Sequence, residues 1–454
     1  MNTFSFENII FAGSIKKGMK ILKFGGTSVG SADRMKMVAK LVSQPDKKIV
    51  VLSAMSGTTN SLVEFANYLH QKNSEVANDL LLGLKAKYII TVDELFSTPE
   101  YKQKGEELIT SHFNYLMQFT LDSFTIFEEK AVLAQGELIS TALFHLYLQE
   151  TGVKSALLPA LNFMRIDKEE EPDNYYIKEN LQRELNQYEE VTCFVTQGFI
   201  CRNAYGEIDN LKRGGSDYTA SIIGVAANAT EVQIWTDIDG MHNNDPRVVD
   251  KTRPIEHLSF EEAAELAYFG AKILHPSSIR PAKEANIPVR LKSTMQPENK
   301  GTLISSEAKG TGIKAVAAKD GITAINIKSG RMLLAYGFLR KVFEIFESYK
   351  TPIDMITTSE VAVSVTIDDT KNLEKIIAEL NHYGTVEVDE DQSIICIVGD
   401  FTSPKTGIAH TVFEALKEIP IRMISYGGSN HNISILVNKS ETKNALQALN
   451  NHLF

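Results

Sequence analysis

Five short apolar runs rich in β-branched residues punctuate the chain: "MKILKF", "KKIVVLSAM", "VTCFVTQGFI", "VQIWTDI" and "IPVRL". Each gives way to turn-forming or polar residues, and most are separated by segments long enough for helices. Short buried strands alternating with helices predict a largely parallel sheet covered on both faces. Ligands of such sheets collect beyond the carboxyl ends of the strands, so chemistry is to be sought just after these runs. From about Ser61 to Lys130 the pattern turns helical and polar, a helical excursion. The acidic stretch "RIDKEEEPDNYY" reads as a solvated loop. In "SFEEAAELAYFG", Ser259 and Glu262 form a capping-box pattern and Gly270 sits where a helix stops.

After about Gly301 the texture changes and an internal repeat appears. The segment from Gly337 to Ile367 resembles that from Gly407 to Val437, with Gly, V-F-E, P-I-x-M-I and a closing alternating strand in common. The offset is about 70 residues, and each copy reads helix, turn, strand, turn, strand. Two copies in series make a second module whose sheet edges invite pairing with another chain.

Composition narrows the class. A chain of 454 residues has length for two or three domains. Its 43% hydrophobic and 23% charged content is that of an ordinary globular protein. The formal net charge of −10 argues against general nucleic-acid binding. Three scattered cysteines, Cys193, Cys201 and Cys396, form neither a disulfide frame nor a zinc site and fit a reducing cytoplasm. No apolar run reads as long enough to cross a bilayer. Residues 1–18 read as an N-terminal extension upstream of Met19 and fit a signal peptide poorly.

Candidate chemistry follows the predicted strands. "KFGGTS" (Lys23 to Ser28) couples a cation to paired glycines whose N–H groups can approach an anion, yet a lone glycine pair after a strand is more often simply a turn. "LKRGGSDYTA" repeats the theme at a predicted helix start, where Arg213 can hold a carboxylate bidentately and the dipole favours anions. The alternative there is a simple N-cap by Ser216 or Asp217. "IWTDIDGMHNNDPRVV" offers Thr236, Asp237, Asp239, Asp245 and Arg247 for a ribose or metal, or merely for Asx turns. "FGAKILHP" puts Lys272 after a helix stop, and "QGELIS" puts Glu137 at an apparent helix start. No P-loop or Rossmann glycine pattern occurs. The combination decides: phosphoryl transfer needs positioned anions and spread positive charge, which Lys23, Arg213, Lys272 and the glycine loops supply.

Taken in order, "KFGGTS", "VVLSAMSGTTN", "TQGFI", "KRGGSDYTA", "IWTDIDGM", "DPR" and "FGAKILHP" resemble the aspartate kinases over nearly all of residues 19–454. The later "ITTSEVAVSV" resembles their monofunctional, lysine-sensitive branch. The resemblance implies an α/β fold: an amino acid kinase αβα sandwich with a mainly parallel sheet over 19–300, then two interleaved ACT domains (ferredoxin-like, α+β) over 301–454. It implies transfer of the ATP γ-phosphoryl group to the side-chain carboxylate of L-aspartate, the first step toward lysine, threonine and methionine, with Mg²⁺ bound mainly with the nucleotide. Lys23, Phe24, Gly25 and Gly26 would meet the phosphates, Lys23 closest to the chemistry. Thr59 and Glu137 would hold the aspartate backbone and amino end, and Arg213 its carboxylate. Ser216 and Asp217 lie in the acceptor and catalytic loop, with Asp217 orienting Lys23 and Mg²⁺-bound groups. Thr236, Asp237 and Arg247 would contact nucleotide, and Lys272 and Ile273 cover the phosphates.

The resemblance also implies an amino-acid effector, with lysine expected, at Met332, Phe338, Leu339, Asp354, Thr358, Ser359 and Glu360. Departures from the pattern stand at Leu334, Ala335 and Pro352, and His242 replaces an aromatic phenol near the adenine. A cytoplasmic homodimer paired through its ACT domains is expected, its assembly to a tetramer left open, with no membrane or nucleic-acid partner. Two alternatives compete: another amino acid kinase acting on glutamate or UMP, and an inactive amino-acid sensor.

Overall fold

The computed structural model describes residues 18–454, except 122–123, 212–213, 271–273, 308–309, 311, 330–335 and 403–405. It divides into two compact units: residues 1–210 with 222–232, and residues 211–221 with 233–454.

In the first unit, strands β1 (Lys20–Phe24), β2 (Lys48–Leu52), β3 (Ser155–Leu158) and β4 (Cys193–Gln197) pair in the order β3-β4-β2-β1, all parallel. All five residues of β2 and of β4 are buried, which is why both runs are mainly apolar. Thr196, Gln197 and Lys48 are the buried polar members, and Lys48 Nζ donates to the Val42 and Gln44 carbonyls and to Asp46, at and just beyond the end of helix α1 (Ala32–Val42). The expected helical excursion is present as α2 (Thr58–His70), α3 (Ser74–Leu95) and α4 (Pro99–Gln118), followed by α5 (Ile126–Glu150). Part of the acidic loop is instead the start of α6 (Asn174–Leu185), because Asp173 caps it by accepting from Tyr176 N. A hairpin, β5 (Ile200–Arg202) and β6 (Ile208–Asn210), follows β4. The boundary between units runs through α7 (Gly215–Ala226) and β7 (Glu231–Thr236).

Glu137 does not begin a helix. Helix α5 starts eleven residues earlier, at Ile126, where Thr125 and Glu128 form a capping box. Gly136 lies within α5 and serves close packing, since a Cβ there would lie 2.8 Å from the Ala54 Cβ. Read as one element, α5 is long and apolar enough to cross a membrane by length and composition, contrary to the sequence reading, although 61% of its apolar window is buried within the protein. It is a core helix, with Val132, Ile139, Leu143, Phe144 and Leu148 all buried.

In the second unit, β8 (His257–Ser259) pairs parallel with β10 (Thr302–Ser305), and β10 pairs antiparallel with β9 (Val289–Ser293). Helix α8 (Phe260–Phe269) carries the expected Ser259–Glu262 capping box and stops at Gly270, and the short α9 (Arg280–Glu284) follows. The remaining strands form one antiparallel six-stranded sheet, ordered β12-β13-β11-β14-β16-β15. These are β11 (Gly312–Lys328), β12 (Ile356–Thr358), β13 (Ala362–Ile367), β14 (Thr385–Asp400), β15 (Ile421–Tyr426) and β16 (Asn432–Asn438).

The sequence repeat is legible in this sheet. Helix α10 (Phe338–Ser348) with β12 and β13 matches α12 (Ile408–Ala415) with β15 and β16, and α11 (Leu373–Leu380) and α13 (Thr442–Leu453) complete the two layers. Gly337 and Gly407 cap the equivalent helices at φ +86° and +95°, a conformation glycine adopts without strain. Val342 and Val412, the same repeat position, are fully buried, each in the apolar cluster of its own copy.

Candidate active site

The carboxyl end of β1 carries the first motif. Lys23 is half-buried there, and its Nζ lies 3.5 Å from where a Gly25 Cβ would stand. Gly26 is packed so closely that its Cβ would meet the Ala54 carbonyl oxygen at 3.0 Å. The second glycine is thus required by a neighbouring loop, while the first leaves room beneath the ammonium. Phe24 is buried in the sheet, so its backbone rather than its ring is available to a ligand at this edge.

The neighbouring loop, Ser53 to Gly57, follows β2. Its Ala54 N–H donates to Glu137 Oε1 at 3.0 Å, while Glu137 Oε2 is buried and has no hydrogen-bond partner among the described residues. Burial pushes the Glu137 carboxyl up to about 7, against hydrogen bonds from Ala54 and from its own backbone and the charge of Lys23, which pull it down. A buried carboxylate beside a lysine, with one oxygen unsatisfied, is suited to hold an ammonium group. Thr59 lies in the first turn of α2, half-buried, beyond the left-handed cap Gly57. The first unit therefore brings together Lys23, Gly25, Gly26 and Glu137 around Ala54.

One residue of this edge escaped the sequence reading. Phe199, just after β4, has φ +66°, strained for a bulky side chain. It lies in "TQGFI", and only backbone geometry reveals it.

The second unit carries the other motifs. Helix α7 already begins at Gly215, so Ser216 and Asp217 lie in its first turn and are not its caps. Tyr218 N–H donates to the Gly214 carbonyl and Thr219 Oγ1 to that of Gly215, closing the turn. Gly214, at φ +76°, would bring a Cβ to 3.0 Å from the Ser278 Cβ and 3.4 Å from that of His275. The glycine loop is thereby packed on the turn after "FGAKILHP", two stretches more than sixty residues apart in sequence. Arg213, Lys272 and Ile273 lie outside the described residues.

β7 ends at Thr236, whose Oγ1 donates to Oδ1 of the following Asp237 at 2.9 Å. Arg247 is exposed and doubly paired with Asp245, at 3.0 and 2.7 Å, within an Asx turn. That pair holds Asp245 below and Arg247 above their ordinary ranges. His242 spans Asp239 and Thr252 through its two ring nitrogens, at 2.7 and 3.0 Å.

Of the expected effector residues, Asp354 is the most enclosed, with Oδ1 accepting from Lys319 Nζ at 2.8 Å and from Tyr268 OH at 2.7 Å. Thr358, Ser359 and Glu360 are exposed at the turn between β12 and β13, where Ser359 Oγ accepts from Ala362 N. Phe338 and Leu339 form the first turn of α10. Met332 lies outside the described residues, as do Leu334 and Ala335.

Residues 18–293 match the amino acid kinase family, and residues 395–453 match the ACT domain. The lysine-sensitive aspartokinase 3 of Escherichia coli is 33% identical, over 96% of this chain and 99% of its own length. The chain belongs to the aspartokinase family. The chloroplastic aspartokinase 3 of Arabidopsis thaliana is 35% identical over 97% of the chain and 82% of its own length. Among solved structures, E. coli aspartokinase III in complex with lysine and aspartate superposes with a TM-score of 0.79 at 33% identity, covering 96% of this chain and all of that one. The aspartate kinase of Clostridium acetobutylicum gives 0.83 at 25% identity over the same share. The architecture is accordingly that of the aspartokinases, an amino acid kinase fold with a mostly parallel sheet followed by ACT domains.

Proposed function

We propose that this chain transfers the γ-phosphoryl group of ATP to the side-chain carboxylate of L-aspartate, giving 4-phospho-L-aspartate and ADP, as the first step toward lysine, threonine and methionine. The observation that carries this reading is the charge of Lys23, at the carboxyl end of β1, acting on buried Glu137, whose Oε2 has no hydrogen-bond partner among the described residues. A carboxylate oxygen of aspartate attacks the γ-phosphorus, the new O–P bond forms as the bond to the β-phosphate oxygen breaks, and ADP leaves with the electron pair. The acceptor is already an anion at neutral pH, so no strong general base is needed. Lys23, Arg213 and Lys272 contribute positive charge to the transferring group. Glu137 and Thr59 hold the amino end of aspartate, and Arg213 its α-carboxylate. Ser216 and Asp217 supply the acceptor loop, and Thr236, Asp237, Arg247 and Ile273 the nucleotide contacts.

Among the described residues no group of three His, Cys, Asp or Glu is placed to hold a metal ion. Mg²⁺ would arrive on the nucleotide phosphates, where it would neutralise their charge, and Asp217, in the first turn of α7, would orient the groups bound to it. We further propose the division into a catalytic region to about residue 300 and a regulatory region beyond it, with residues 1–18 as an extension. A cytoplasmic location fits three free, buried thiols, of which Cys193 and Cys201 are pushed up by burial to about 11 and about 12. Exposed Leu339 and Phe343 on α10, with Ile424 and Tyr426 on β15, support a homodimer formed through the ACT copies, and light scattering tests it.

Lysine is the expected effector, supported by the E. coli structure that holds it. The deciding experiment is aspartate-dependent hydroxamate formation with ATP, with lysine, threonine and methionine added separately. Preference for glutamate or UMP, or no turnover by folded protein, overturns the reading.

A further inference from the structure

Helix α8 is tied along one face by side chains three residues apart. Buried Glu262 pairs with Lys314 of β11 at 2.8 Å. Glu265 accepts from Ser429 Oγ at 2.9 Å and from Asn432 Nδ2, both of the second repeat copy. Tyr268 donates to Asp354 Oδ1 of the first copy at 2.7 Å, and Lys319 of β11 spans Asp354 and Asp368 at 2.8 Å each while lying over the Tyr268 ring at 4.6 Å. The spacing 262, 265, 268 keeps all three on one stripe of the helix. At its end, Gly270 abuts β11 so closely that a Cβ would lie 2.6 Å from the Ala318 carbonyl oxygen. The chain then enters the segment that carries Lys272.

We propose that Tyr268 and Glu265 are positioning residues through which each repeat copy separately sets the end of α8, and with it the turn from Leu274 to Ile279. Only the expected effect on kcat rests on the phosphotransfer reading. Tyr268 is suited to the task because its donor sits on a carboxylate that is 1% exposed and whose other oxygen, Oδ2, has no hydrogen-bond partner among the described residues. Any ligand cation drawn to that oxygen changes the acceptor on which α8 hangs. Burial and then Asp354 push the Tyr268 hydroxyl up to about 12, so it remains a donor at neutral pH. The Glu265 tie repeats the arrangement for the other copy, so the two inputs are separable.

The test uses full-length protein carrying Tyr268→Phe, Glu265→Gln or both, with Val342→Ala as a control that loosens the first copy's core without touching α8. Hydrogen exchange is followed over α8 and Leu274–Ile279, alongside kcat and KM for aspartate and ATP and the response to lysine. Each single variant is expected to speed exchange over Leu274–Ile279 about tenfold and to lower kcat more than it raises either KM, and Val342→Ala to do neither. Tyr268→Phe should blunt any lysine response while lysine binding by calorimetry persists. Exchange at Leu274–Ile279 unchanged in Tyr268→Phe overturns the proposal, as does an equal change in Val342→Ala. If exchange changes but no variant, nor the parent, phosphorylates aspartate, the coupling stands and the phosphotransfer reading falls.

Discussion

Glu137 and Ala54, 83 residues apart, meet through a 3.0 Å hydrogen bond that leaves the second carboxylate oxygen buried, with no donor among the described residues. This contact joins the core helix α5 to the loop after β2, and the ammonium of Lys23 stands beside it. A charge held there costs stability, and the cost is a marker of use by a ligand.

The pH dependence of stability follows from its sign. Burial raises the folded carboxyl from an ordinary 4.5 to about 7, so between those values the folded protein holds a proton that the unfolded chain has released. Stability from this group is full below about pH 4.5 and is lost as pH rises through about 7. Glu137→Gln should therefore melt higher than the parent at pH 8 and match it near pH 5. The same variant should raise the KM for aspartate at least tenfold, because its amide cannot answer an ammonium with charge.

Lys23→Ala should remove turnover by three orders of magnitude or more while moving the melting temperature by only a few degrees. A half-buried lysine at a strand end contributes about 1 kcal/mol or less to folding, whereas a charge on the transferring group acts in the transition state. Steady-state kinetics beside calorimetry checks both halves, and a large loss of melting temperature would mean that the lysine is structural.

The glycines separate by what a methyl would meet. Gly136→Ala gains about 1 kcal/mol of helix propensity but places two Cβ atoms 2.8 Å apart, an overpacking that costs about 1–3 kcal/mol. Net destabilisation is expected, together with lost activity, since Ala54 must move and Glu137 with it. Among the described residues Gly25→Ala meets only the Lys23 ammonium, at 3.5 Å, and should keep its melting temperature while losing affinity for ATP.

Arg247 is paired to Asp245 at the surface, its side chain 82% exposed, so the pair is worth no more than about 1 kcal/mol. Arg247→Ala should leave stability nearly unchanged. If Arg247 also meets the nucleotide, the KM for ATP rises several-fold with kcat retained. An unaltered KM would confine the residue to its turn.

The sequence alone determined whatever depends on neighbours along the chain. The strands of the parallel sheet were legible because residues buried on both faces must be apolar throughout, and α8 because its cap and its stop lie within it. The repeat at Val342 and Val412 was legible because equivalent helices bury the same position. Family motifs located Lys23 and Glu137, but Glu137 was misread as a helix start because Gly136 resembles a break. Only tertiary structure decided that Gly136 makes room for Ala54, that Gly214 seats the glycine loop on His275 and Ser278, and that Asp354 already holds Lys319 and Tyr268. These relations join residues as far as 86 positions apart. Backbone hydrogen bonding and periodicity are local and leave a pattern in sequence, whereas a close approach between distant segments is set by packing and leaves only a small residue behind.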